Sequence, residues 1–312
     1  MSTALIRTNS SQELAPDHSQ ADNDAQLIAL WITNKSENSP NTRTVYERNL
    51  GRFLAFIGDS PLGSVKLGDI QAFAESLKQP EPDRNGEPQT LSVGTQRQVL
   101  ATVKSLFTFA VEVGYLRFNP GKPVKLPPKK NTLAERILDE QTVSEILALE
   151  PNPRNKLLLR LAYVSAGRVS EIVSLKWRDC QKRQEGGQVT LYGKGGKTRT
   201  ILIPSKLWND LEKIRGDAAQ PVFESQKKNS ARGGHLSTVQ AWRIVKAAAK
   251  RAGVEAPVSP HWLRHAHASH ALDRGAKITL VQQDLGHSNI STTREYLHVR
   301  PDESSSTYLA IG

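Results

Sequence analysis

SPHWLRHAHASHALDRGAKITLVQQDLGHSNISTTREYLH, residues 259–298, is the stretch on which the reading of the chain turns. His261 and Arg264 are three residues apart, so a helix sets both on one face. A planar guanidinium matches the non-bridging oxygens of a phosphate, and the imidazole adds a second donor. Further on come a glycine-backed His287 and then Tyr296, whose hydroxyl can attack phosphorus. Each piece also has a plainer use. Tyr296 beside Leu297 fits a half-buried core residue on a short helix opened by the capping-box spacing of Thr292 and Glu295. The run His261, His265, His267, His270 contains an i, i+4 pair of the kind that binds metal, yet no Cys or carboxylate is placed to complete a shell.

Working outward, the 312 residues favour two domains, each long enough to bury its own core. No apolar run approaches the length of a membrane span, and the N-terminus lacks the charged-then-apolar layout of a signal peptide. The expectation is a soluble, cytoplasmic protein. A single cysteine, Cys180, excludes an intrachain disulfide framework and a Cys-based metal cluster, as befits a reducing compartment. The formal net charge is +11, and it is unevenly spread. Residues 1–118 carry 11 Lys and Arg against 13 Asp and Glu, whereas residues 119–312 carry 31 against 18. The second half is therefore suited to a polyanion, with nucleic acid the first choice.

Residues 1–23 are polar and aperiodic, which reads as a disordered leader. From Asp24 the period is helical. Val45, Leu50, Phe53, Leu54 and Ile57 build one apolar side, and Val99, Leu100, Val103, Phe107, Phe109 and Ala110 another. Between these helices QPEPDRNGEPQT reads as an exposed loop. Residues 24–118 thus form a small all-helical domain. Residues 119–134, with four prolines and several lysines, read as a basic, semi-rigid linker.

Residues 135–299 form the second domain. Asp139 is the expected cap of its first helix. At GGQVTLYGKGGKTRTILIP the apolar period changes from 3.6 to 2, with Val189 and Leu191, a GKGG turn, and a return through Thr198, Thr200 and Leu202, which makes a β-hairpin with a basic tip. Helices resume afterwards, and residues 300–312 form a polar tether. The fold class is mainly α with a small β-hairpin or sheet, in two domains.

Four separated segments now carry basic or nucleophilic groups: AGRVSE, YGKGGKTR, HWLRH and LGHSNISTTREY. In this order and spacing they resemble the tyrosine recombinase (phage integrase) family, and its Xer-like site-specific recombinases, over about residues 25–300. The resemblance implies a helical core-binding domain of SAM-like type followed by a mixed α/β catalytic domain. It implies that Arg168 and Arg264 clamp the scissile phosphate and that Tyr296 attacks it, leaving a 3′-phosphotyrosyl link. It implies His261 as the assisting base, Lys194 as the acid for the departing 5′-oxygen, His287 as a further phosphate donor, and Glu171 as the carboxylate supporting Arg168. Lys197 competes with Lys194 for the acid's role. His265, beside Arg264, reads as a packed neighbour outside the catalytic set.

Arginine stays charged throughout, so it serves as clamp and not as proton donor. A phenol is mostly protonated at neutral pH, so a base must assist it. The scheme needs no metal and no cofactor. The expected partners are double-stranded DNA bearing a specific site, further copies of the chain in a homo-tetramer, and an accessory directionality protein, on the nucleoid and not at a membrane. The polar faces name Thr95, Arg97, Gln98 and Lys104 in the first domain, and Arg243, Lys246 and Lys250 in the second, for DNA contact. A topoisomerase-like nicking enzyme and a non-catalytic DNA-binding regulator are the alternatives. One departure concerns the run before Arg168, where Ser165, Ala166 and Gly167 replace the usual Thr-Gly-Leu. Another is His267, at a place that is usually aromatic or apolar.

Overall fold

The computed structural model describes residues 21–36, 40–82, 85–128, 133–193, 196–225, 234–287, 289–294 and 296. It divides into two compact units, residues 1–130 and 131–312. The expected leader, the tether, the last residues of the linker and Lys194 lie outside the described residues in whole or nearly so.

In the first unit, helices α1 (Asp24–Ser36), α2 (Pro40–Ile57), α3 (Leu67–Ser76) and α4 (Val93–Glu112) enclose one apolar cluster. Trp31, Phe53, Phe73 and Phe107 are almost wholly buried in it, and Phe53 meets both other phenylalanines edge-on, at 5.1 and 5.9 Å between ring centres. Such tilted contacts add to what burial alone contributes. Asp24 ties the start of α1 to the rest, accepting from the Leu62 amide at 2.7 Å and the Tyr115 hydroxyl at 2.8 Å.

Where the sequence reads as a loop, the structure has a two-stranded ribbon, β1 (Pro80–Pro82) and β2 (Pro88–Thr90), with every residue exposed. Proline's fixed φ suits an extended edge strand, and prolines that donate no hydrogen bond keep the ribbon short. The described part of the linker is docked, not free. Lys104 donates to the carbonyls of Gly121, Lys122 and Val124 at 2.6, 3.1 and 2.5 Å, and Val124 is buried in the first unit's cluster.

The second unit packs α5 (Glu140–Ala148), α6 (Pro153–Ser165) and α7 (Val169–Ser174) beside a three-stranded antiparallel sheet of β3 (Cys180–Lys182), β4 (Gly187–Tyr192) and β5 (Thr198–Ile203). It is completed by α8 (Ser205–Glu212), α9 (Thr238–Arg251), α10 (Pro260–Asp273), α11 (Ile278–Leu285) and α12 (Ile290–Arg294). Asp139 does cap α5, accepting from the Thr142 amide at 2.7 Å. Strand β3 has no signal of its own in the sequence and forms by pairing Cys180 with Val189. Its thiol is buried, and burial pushes it up to about 12.

The hairpin register corrects one sequence expectation. Val189 pairs with Ile201 and Leu191 with Arg199, so Arg199, Ile201 and Ile203 share the inner face. Leu202 lies on the outer face and is 69 % exposed. Strand side chains alternate strictly, so a shift of one residue exchanges the faces.

Candidate active site

Helix α6 ends in Ala166, whose φ of +48° is left-handed, a conformation in which a non-glycine side chain costs about 1–2 kcal/mol. This reversal sends Gly167 and Arg168 across the top of α7, where Arg168 is the first residue before the helix. A Cβ at Gly167 would lie 2.4 Å from Cδ1 of Ile172, so a larger residue there would have to displace that buried side chain.

Glu171, in the first turn of α7, reaches back to Arg168. Its Oε2 accepts from the Arg168 amide at 2.8 Å, and its Oε1 accepts from the Arg168 guanidinium at 3.0 Å. The carboxylate is only 3 % exposed, and Arg199 from β5 grips its far side, donating to Oε1 at 3.0 Å and Oε2 at 2.7 Å. Burial alone would raise the Glu171 pKa, but the Arg199 and Arg168 hydrogen bonds outweigh it and hold the carboxyl below its usual value. Arg199 also donates through Nε to the Asp284 carbonyl at 2.6 Å, near the end of α11.

Arg264 rises from α10 into the same region and is 4 % exposed. It donates to the Ala166 carbonyl at 2.6 Å and to the Leu285 carbonyl, so it caps the ends of both α6 and α11. Burial, then the charges of Arg168 and Arg199, lower its pKa to about 10, which leaves it charged at neutral pH. Gly286 closes α11 with φ +61°, and a Cβ there would meet the Arg199 guanidinium at 3.4 Å. His287 follows, held through Nδ1 at 3.0 Å from the Thr293 hydroxyl. Burial and the Arg264 and Arg168 charges lower its pKa to about 4, so the ring is neutral at pH 7.

These elements enclose an open cavity of about 850 Å³ lined by Arg168, Lys197, Arg199, Gln282, Gly286 and His287. Arg168 is the half-exposed guanidinium of the group, with 36 % of its side chain open to solvent. Lys194 lies outside the described residues, whereas Lys197 stands in the cavity wall.

Tyr296 is not among the cavity's lining residues. Its ring is 5 % exposed and packs with Ile137, Ala166, Ala268, Val281 and Leu285, while its hydroxyl lies 2.7 Å from Nδ1 of His265. The plain reading of a buried tyrosine and the reading of a nucleophile thus fall on one side chain. Burial and the neighbouring His261 and Arg264 lower the His265 pKa to about 4, so this partner is a neutral ring at pH 7. His261 sits one turn before it at 6.2 Å between ring centres, also with a lowered pKa, from its packed surroundings and the charges of Arg264 and Arg168.

The histidine run divides by face: His265 packs against Tyr296 with His261 beside it, while His267 and His270 pack edge-on against Tyr163. No group of three His, Cys, Asp or Glu able to hold a metal ion occurs among the described residues. None of the described helices is long and apolar enough to cross a membrane.

Sequence reasoning missed Arg199 and left His265 aside. Arg199 was marked by a charge at an inward parity of a strand, and His265 by its i+4 spacing from His261. Of the residues expected to contact DNA, Lys104 turns its ammonium onto three carbonyls of its own unit. Arg97 commits one donor to the Pro127 carbonyl, while Arg243, Lys246 and Lys250 lie exposed on α9.

Comparison with known proteins adds an independent line. Residues 136–303 match the phage integrase family, and residues 29–114 match the phage integrase N-terminal SAM-like domain. The tyrosine recombinase XerD of Mycobacterium tuberculosis is 32 % identical over 279 residues, covering 82 % of this chain and 86 % of the relative. A tyrosine recombinase of Thermosipho africanus is 30 % identical over 284 residues, covering 89 % and 95 %. Among solved structures, the XerH recombinase bound to a palindromic difH substrate superposes with a TM-score of 0.69 at 20 % identity, covering 89 % of this chain and 82 % of that one. A lambda integrase dimer bound to a COC′ core site gives 0.68 at 18 % identity, covering 90 % and 97 %. The last two likenesses speak to the fold alone.

Proposed function

Because the chain belongs to the phage integrase family of tyrosine recombinases, we propose that it is a site-specific DNA recombinase that cuts and rejoins strands through Tyr296. The observation that carries the reading is the convergence of Arg168, Arg264 and His287 at one place, braced by Glu171, with the Tyr296 hydroxyl on a neutral imidazole.

Attack on a phosphodiester builds negative charge on the non-bridging oxygens, and fixed cations that need no rearrangement stabilise it most. Arg168 offers an open guanidinium, and Arg264 a buried one locked by two carbonyls. The Tyr296 oxygen forms a bond to phosphorus as the bond to the 5′-oxygen breaks. The phenol proton passes to the histidine pair, with His261 as the base and His265 holding the hydroxyl before attack. The 5′-oxygen takes a proton from a lysine of the hairpin, Lys194 by resemblance or Lys197 from the cavity wall. The phosphotyrosyl bond keeps the energy of the broken one, so rejoining needs no nucleotide and no metal.

The partners that fit are a duplex with a specific site, three further copies of the chain in a synaptic tetramer, and an accessory protein that sets direction. The exposed cations of α9, with Arg97 and its neighbours Thr95 and Gln98 on α4, are the surfaces proposed for DNA contact. Tyr296 has to leave His265, or DNA has to reach it there, before the first strand is cut.

A denaturing gel tests this directly. Nicked duplexes drawn from DNA flanking the gene are incubated with the protein in EDTA. The expected result is a covalent protein–DNA adduct that Tyr296→Phe abolishes while binding persists. Binding without an adduct across such duplexes would leave a non-catalytic DNA-binding protein instead.

A further inference from the structure

We infer that Arg199 is a positioning residue whose task is to neutralise Glu171, so that Arg168 keeps a full positive charge for the phosphate. The inference deepens the recombinase reading and rests on it for the identity of the anion.

Glu171 is needed where it stands, since its two oxygens fix both the amide and the guanidinium of Arg168. A carboxylate in that position carries a penalty. Paired one to one in a buried place, it would cancel the charge it aims, because ion pairs strengthen as water is excluded. The structure solves this with a second guanidinium. Arg199 meets both carboxylate oxygens in the forked geometry specific to arginine, at 3.0 and 2.7 Å. Only 7 % of its side chain is exposed, against 36 % for Arg168. The buried arginine is therefore committed to Glu171, and the open one faces the cavity. Two guanidiniums and one carboxylate leave one net positive charge, on the side where an anion enters.

The third donor of Arg199 extends the same role. Its Nε holds the Asp284 carbonyl at 2.6 Å, two residues before the glycine that sets the direction of His287. Gly193, where the hairpin turn leaves β4, closes over the group so tightly that a Cβ there would lie 3.2 Å from Glu171 Oε1. One residue of β5 thus ties the hairpin, α7 and the end of α11 into a single unit.

The test uses the full chain with inorganic phosphate as probe. Phosphate is titrated against the Arg168 Nε–Hε resonance, identified by its absence in Arg168→Lys, with thermal melting and the adduct gel alongside. Arg199→Met is expected to weaken phosphate binding by about tenfold and to slow adduct formation by a similar factor. Arg199→Lys, which keeps the neutralising charge, is expected to retain most of the phosphate affinity. The double variant Arg199→Met with Glu171→Gln removes both the quenching charge and its partner, and is expected to bind phosphate more tightly than Arg199→Met alone.

Unchanged affinity in Arg199→Met overturns the inference, as does an Arg199→Lys chain as weak as Arg199→Met. So does a folded double variant no better than the single one, which would make Arg199 a purely structural brace. If Arg199→Met does not fold, the lysine and double variants decide between the same outcomes. A wild-type chain that binds no phosphate overturns it whatever the gel shows. Phosphate binding in the expected order with no DNA adduct in any chain would instead remove the recombinase reading and leave the charge argument standing.

Discussion

The two units solve burial in opposite ways. The first gathers its apolar side chains into one aromatic-rich cluster, and among its described residues the buried polar ones are the uncharged Asn49, Gln96 and Thr102. The second divides its apolar residues among three clusters and buries Glu171 and Arg264 among them. A continuous core gives stability with little room for chemistry. A divided one leaves seams in which charges can be held at fixed distances, each paired so that its desolvation is offset.

Emptying the first unit's core is the most drastic way to break that contrast. Phe53→Ala removes a fully buried ring that touches Phe73 and Phe107, and should cost about 3–5 kcal/mol. Denaturant melts read on residues 1–130 should show the loss, while the phosphate titration of the second unit should be unmoved. A loss of phosphate binding as well would mean that the two solutions are not independent.

Acid should act chiefly on the second unit. The folded pKa values of His265 and His287, about 4, lie below the ordinary 6.5, so the unfolded chain binds protons first. Stability is therefore full above about pH 6.5 and falls as pH drops toward 4, by an amount on the order of 2 kcal/mol after screening is allowed for. Glu171 contributes in the same direction at lower pH, since its depressed pKa makes its stabilisation vanish only once it protonates. Melts of His265→Gln, His287→Gln and the parent between pH 7 and 4.5 measure it. Parallel curves would show that these rings do not carry the acid sensitivity.

The contrast has a surface side as well. Lys104 in the first unit is turned onto backbone carbonyls, whereas Arg243 and Lys246 on α9 are exposed, with the Lys246 ammonium 5.3 Å from the Trp242 ring centre. Arg243→Ala with Lys246→Ala should weaken duplex binding about tenfold and reduce the slope of affinity against salt by about 2. Lys104→Met should leave that slope alone. Fluorescence anisotropy over a salt series distinguishes the two.

Smallest is the effect at Ala166. Glycine relieves the left-handed strain but adds freedom to the unfolded chain, for a net gain of about 0.5 kcal/mol. A higher melting temperature for Ala166→Gly would place the strain where the φ angle does; a lower one would mean that the methyl group's packing contributes more.

Much of this was legible in the sequence. The aromatic and leucine spacing of α2 and α4 named Leu50, Phe53, Val99, Leu100, Val103, Phe107 and Ala110 of the first unit's buried cluster, because a buried face recurs every 3.6 residues whatever it packs against. The four basic segments that carry the family resemblance were legible by their order, and the family they pointed to is the one the chain belongs to. Arg199 was not, because hairpin parity was counted through Leu202, an apolar residue that the sheet leaves outside. The role of Lys104 was hidden for a different reason. A proline-containing segment presents carbonyls without a matching set of amides, and only the folded chain shows which donor satisfies them. His265 needed the third dimension, since only packing brings it to a tyrosine 31 residues away.

The lone cysteine has a practical consequence. Cys180 is walled into the core, its thiolate disfavoured up to about pH 12, so it should ignore maleimide reagents under native conditions. A cysteine introduced on the exposed face of α9 would then take a dye alone, without any background thiol to remove. One substitution gives a fluorescent reporter for watching single molecules arrive on DNA and leave it.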